Sequence, residues 1–157
     1  MRTLAGLLLL LTSAMPVGAQ AAAQAQAVPV SYGTLSQNDL ALRVRNENLE
    51  IRFIPLDPLV MHLLANDAFQ SLRSLVETRR RSIDSVASRA GVTKPGLALV
   101  SFLGNRPDTR FDPQTLTLLI RNRDFRPLGV IPLDSKFASQ QLNAREQASA
   151  IYLFEED

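Results

Sequence analysis

Residues 40–53 read Leu-Ala-Leu-Arg-Val-Arg-Asn-Glu-Asn-Leu-Glu-Ile-Arg-Phe. Leu40, Leu42 and Val44 alternate with Ala41, Arg43 and Arg45 before the polar step Asn46-Glu47-Asn48. Leu49, Ile51 and Phe53 alternate with Glu50 and Arg52 after it. Successive side chains of a strand point to opposite faces, so a period of two on both sides of a polar turn predicts an antiparallel hairpin with one buried face. Arg43, Arg45, Glu50 and Arg52 are expected on the wet face, where they pair across the strands.

Downstream of this hairpin the period changes. Asp57-Pro58 is a helix-start signal: a side-chain acceptor for orphan amides, then a residue already fixed at helical φ. A short helix is expected over 59–65 and a longer one over about 68–90. Phe69, Leu72, Val76, Ile83, Val86 and Ala90 form the apolar stripe of the longer helix, and Gly91 is its stop. Beyond the turn Lys94-Pro95-Gly96, Leu97–Leu103 is a continuous apolar run suited to a central strand. Strands are also expected over Thr115–Ile120 and Phe125–Ile131, separated by the turn Arg121–Asp124. Asp134–Gln141 reads as a surface loop, and Ala148–Phe154 as a last strand with an open edge.

Upstream, Arg2, the apolar run Leu4–Leu11 and small residues up to Ala19 have the pattern of a secretory signal peptide. Cleavage is expected after Ala19, with Ala23 as the alternative, giving a periplasmic or secreted protein without a transmembrane segment. Residues 20–38 are expected as an alanine- and glutamine-rich lead-in, with an edge strand at Val28–Leu35. Residues 39–157 then form one β-rich domain with a helical insertion at about 58–90. The fold class expected is mainly β, an antiparallel sandwich carrying that insertion; an α+β open sheet with one packed helix is the alternative.

A resemblance adds to this reading. Phe111-Asp112-Pro113, Leu116–Ile120, Phe125-Arg126-Pro127-Leu128, Leu142–Glu146 and Ala150–Phe154 together resemble an immunoglobulin-like bacterial extracytoplasmic domain over about 45 residues. The resemblance implies an immunoglobulin-like sandwich in an exported protein, and carries over no catalytic or binding residue. The departure is at the end, where Glu155-Glu156-Asp157 stands in place of a further strand.

The 157 residues contain no cysteine and one histidine, His62, which excludes a disulfide framework, a thiol nucleophile and nearly all zinc chemistry. With Lys+Arg 17 against Asp+Glu 15, the charge is too balanced for a nucleic-acid binder. No phosphate-cradling glycine loop, G-x-S-x-G or H-E-x-x-H occurs. Ser135 and Lys136 are adjacent, and adjacent side chains do not face each other as nucleophile and base must. Asp108, Asp112 and Asp124 lie near Arg106, Arg110 and Arg123, a pattern of surface ion pairs.

No catalytic, cofactor-binding or metal-ligating residue is assigned, and no cofactor is expected. Arg73, Arg79, Arg80 and Arg81 on the long helix are the candidate contacts for an anionic partner. The triplet Arg79–Arg81 fans over roughly 200° of the helix, so a solvated face is the simpler reading. The expected function is a non-enzymatic binding or assembly module of the bacterial cell envelope, with a protein or envelope partner. The alternative is a small exported hydrolase working through Asp/Glu acid–base chemistry.

Overall fold

A computed structural model of the chain describes residues 33–155. The expected signal peptide, the alanine- and glutamine-rich tract and the last two acids lie outside the described residues. Of the expected strand Val28–Leu35, only Gly33–Leu35 is described, and Leu35 forms an isolated parallel bridge with Leu64.

Chain order starts with a short helix α1 (Gln37–Leu40). It is braced by Asp39, whose carboxylate accepts from Ser36 N at 2.8 Å and Ser36 Oγ at 2.7 Å. Strands β1 (Leu42–Arg45) and β2 (Leu49–Pro55) form the expected hairpin in the register Leu42↔Phe53 and Val44↔Ile51. Asn46 shapes the turn: its Oδ1 accepts from the amides of Asn48 (2.9 Å) and Leu49 (2.7 Å). Asp57 then caps helix α2 (Pro58–Met61), accepting from the Leu59 and Val60 amides.

The longer helical segment is two helices, α3 (Asn66–Thr78) and α4 (Arg80–Ala90), where the sequence predicts one. They meet at Arg79, whose N–H is shared between the Leu75 and Val76 carbonyls. Phe69, Leu72 and Ile83 are buried as expected, but Ala87, rather than Ala90, completes the stripe. Gly91 stops α4 in the left-handed conformation at φ 72°, which costs glycine no side-chain clash.

Next come β3 (Pro95–Gly104), β4 (Thr109–Arg110), a 3-10 turn at Pro113–Thr115, β5 (Leu118–Ile120) and β6 (Arg123–Phe125). β7 (Gly129–Pro132), helix α5 (Lys136–Ser139), β8 (Gln141–Leu142) and β9 (Gln147–Glu155) complete the described chain. The fold is mainly β. Its main sheet has five antiparallel strands in the order β1-β2-β3-β9-β7, and β4-β8 and β5-β6 are separate two-stranded ladders.

Both faces of the sheet centre are covered, which explains the nearly continuous apolar runs of β3 and β9. One face carries Ile54, Leu97, Leu99, Ile131, Ile151 and Leu153, packed against Phe69, Leu72, Ile83 and Ala87 of α3 and α4. The other gathers Phe53, Phe102, Phe111, Phe125, Phe137 and Phe154, six of the chain's seven phenylalanines. Phe102 and Phe111 stack at 4.4 Å between ring centroids there. Tyr152 is fully buried in this layer and donates its hydroxyl to the Pro113 carbonyl at 3.1 Å. Burial, reinforced by the Asp112 charge, pushes its phenol well above the usual range, so it stays a neutral donor.

Three further sequence expectations need correction. The segment 125–131 is two strands in different ladders, because Pro127 and the turn to Gly129 separate β6 from β7. Asp134–Gln141 is not merely a surface loop: α5 lies within it and drives Phe137, 4% exposed, into the aromatic layer. Finally, Ala148–Phe154 has no open edge. β9 pairs with β3 on one side and β7 on the other.

Candidate binding surface at the sheet edge

The two outer strands of the five-stranded sheet differ. β7 is short, ends in Pro132, and lies so close to α4 that a Cβ on Gly129 would collide with Val86. Prolines and short lengths are ordinary ways of blunting an edge. β1 is as short as β7 and carries the charges of Arg43 and Arg45, but it holds no proline, and all four of its residues are exposed.

Its hydrogen-bond parity follows from the turn. Asn46 N donates to Leu49 O at 2.9 Å, making Asn46 and Leu49 a hydrogen-bonded pair. Such pairs alternate along an antiparallel ladder, so Val44 with Ile51 and Leu42 with Phe53 also bond through the main chain. The N–H and C=O groups of Arg43 and Arg45 therefore point outward, away from β2.

Side chains divide by face. Arg43 and Arg45 lie on the helix-bearing face with their register partners Arg52 and Glu50. Glu50 is 8% exposed and receives Arg52 Nε at 2.6 Å. That hydrogen bond holds the Glu50 carboxyl below the usual range against the opposing effect of burial, and the charges of Arg52, Arg45 and Arg43 add to it. Asp39 is likewise depressed, mainly by its Ser36 hydrogen bonds and less by Arg43. Arg43 Nη2 reaches the Asn38 carbonyl at 3.4 Å.

The row Arg43, Arg52, Ser101 and Ser149 runs in register across four strands. Ser101 and Ser149 join their hydroxyls at 2.8 Å, and Gln147 Nε2 donates to both. Asp134 accepts from the Ser149 amide at 2.8 Å.

On the opposite face Leu42 and Val44 are 65% and 69% exposed. They are the register partners of Phe53 and Ile51, and Phe53 in turn lines a groove of about 1370 Å³. Phe53 and Phe154 meet there at 6.1 Å. The hairpin β5–β6 overhangs the groove with Ile120 and Phe125, and the Arg123 guanidinium lies 5.3 Å from the Phe125 ring centroid. Leu59, 81% exposed, and Arg80 stand on the other wall.

The arginines singled out in the sequence are distributed rather than focused. Arg73 bonds Glu77 at 2.8 Å within α3, Arg79 is the joint between helices, and Arg80 and Arg81 open α4. Arg80 is the one of the four that lines the groove. His62 is exposed and stacks on Phe69 at 5.2 Å between ring centroids. Lys136 bonds Glu146 at 2.7 Å rather than Ser135. The pairing expected near Asp108 and Asp112 also differs: Arg106 reaches Glu47 at 3.2 Å, Asp108 accepts from Gln141, and Asp112 caps the 3-10 turn. Among the described residues no three His, Asp or Glu side chains gather as metal ligands, and no helix is long and apolar enough to cross a membrane.

No protein family, curated protein or solved structure matches the chain. Two features of the surface escaped sequence reasoning. The exposed edge belongs to the first strand of the sheet and not the last, which is a matter of strand order. Ser101 and Ser149 did leave a signal: each is a lone hydroxyl inside an apolar run, at a position that alternation assigns to a sheet face.

Proposed function

We propose that this chain is an exported, non-enzymatic binding or assembly module of the bacterial cell envelope, working in the periplasm or outside the cell. The observation that carries the binding reading is the β1 edge: outward main-chain groups, flanked by arginines on one face and exposed Leu42 and Val44 on the other. Edges of this kind are templates for added strands. Export rests on the signal-peptide pattern of the first nineteen residues.

The carboxylates offer little support for the hydrolase alternative. Asp39, Asp57, Asp112 and Asp134 accept from backbone amides, while Glu50 and Glu146 are held by Arg52 and Lys136. An acid–base pair needs two carboxyls converging on one substrate position, and these six serve caps, turns and ion pairs. The immunoglobulin-like reading would need a second sheet over the aromatic face. The ladders β4-β8 and β5-β6 are the strands available for it, and the binding proposal does not depend on that reading.

A photo-crosslinking amino acid at Val44, compared with one at exposed Ala138 on α5, tests the proposal in cells. Adducts formed from Val44 and not from Ala138 support it. Equal labelling from both positions, or none from Val44, overturns it.

A further inference from the structure

We propose that β1 accepts an added strand from a partner whose sequence alternates apolar with acidic residues. The inference rests on the binding reading above and specifies the chemistry of what binds. The outward N–H and C=O groups of Arg43 and Arg45 recur every two residues, the repeat at which a neighbouring strand offers its own. A strand added there sets alternate side chains beside Arg43 and Arg45 on one face and beside Leu42 and Val44 on the other.

Charge selects the first set. The cross-strand neighbour of Arg43 is Arg52, a like charge. The nearby carboxylates are already engaged, Glu50 by Arg52 and Asp39 by Ser36. An acidic side chain opposite Arg43 and another opposite Arg45 place opposite charges across the new ladder, the favourable arrangement. Burial selects the second set, because apolar side chains beside Leu42 and Val44 extend the surface that leads to Ile51 and Phe53.

The same arguments count against two other occupants. A second copy pairing antiparallel through β1, with matching faces, sets arginine opposite arginine in every register, which is destabilising. Val28–Leu35, the segment whose sequence suggests an edge strand, contains no carboxylate and includes Pro29.

The test uses the full chain, isotopically labelled, and three capped octapeptides: valine alternating with glutamate, valine with lysine, and serine with glutamate. Amide exchange and NMR shifts report on Arg43 and Arg45. The valine–glutamate peptide is expected to slow exchange at both amides. The lysine peptide is expected to bind roughly tenfold more weakly, as reversed cross-strand charges dictate. The serine peptide is expected to bind weakly for want of apolar contact. Arg45→Pro removes an outward donor that β2 does not use, so it is expected to abolish binding while Arg45→Gln retains it. The double variant R43E/R45E keeps every donor and is expected to reverse the charge preference. Equal affinity for the glutamate and lysine peptides overturns the inference, and so does full protection of the Arg43 and Arg45 amides before peptide is added. Peptide-induced shifts confined to Phe53, Phe125 and Phe154 also overturn strand addition, yet leave the broader binding reading standing. That reading falls separately, on the Val44 crosslinks.

Discussion

Glu50 is buried in strand β2, and its environment gives acid stability a definite sign. The folded carboxyl is depressed from an ordinary value of 4.5, so the unfolded chain takes up the proton first on acidification. Its contribution is complete above that value and is lost as pH falls through it towards the folded pKa. Glu50→Gln is expected to flatten this part of the pH dependence, read from urea melts between about pH 6 and pH 3. Core residues respond differently. Leu72 is 2% exposed, so Leu72→Ala is expected to cost about 2–5 kcal/mol. Arg80 is exposed at the groove wall, and Arg80→Ala is expected to stay within about 0.5 kcal/mol in the same melts. The stripe containing Leu72 was legible because helical period fixes which residues share a face. The burial of Phe137 was not, because Asp134–Gln141 is too short for any period to emerge.

Among the elements, the hairpins show most plainly what local sequence encodes. The alternation of 40–53 predicts both strands and their pairing, and the structure supplies both. It also predicts one buried face, and β1 departs from this because it is the outermost strand, with no further layer over Leu42 and Val44 among the described residues. Burial depends on what lies beside a strand, which its own pattern does not record. The β5–β6 hairpin carries a different constraint. Arg121 and Asn122 both have positive φ, 50° and 62°, at the two central positions of its turn. That geometry suits Asn-Gly, with asparagine first and glycine second. Asn122→Gly is therefore expected to stabilise by up to about 1 kcal/mol, seen as a raised midpoint in thermal melts. The split between α3 and α4 at Arg79 falls in the seven-residue gap of the apolar stripe between Val76 and Ile83, where the period stays in phase but the intervening turn carries Arg79 and Arg80.

For the whole molecule, strand order is the property that sequence reasoning missed and the one that moves the exposed edge from the end of the chain to its beginning. Strand content followed from period, but adjacency in a sheet arises from packing between segments far apart in the chain. Hydrogen exchange checks the order directly: the amides of Ala148–Phe154 are expected among the slowest, and the outward amides of Arg43 and Arg45 among the fastest of any strand. The place of β9 also bears on the timing of assembly during synthesis. β3 needs β9 on its flank, and the sheet stays divided until residues 147–155 have been made. A nascent chain that stops short of Gln147 presents the long apolar strand Pro95–Gly104 with one side unsatisfied, the condition under which strands seek partners in other molecules. Any helper that keeps the chain from aggregating must therefore stay bound until β9 has taken its place between β3 and β7.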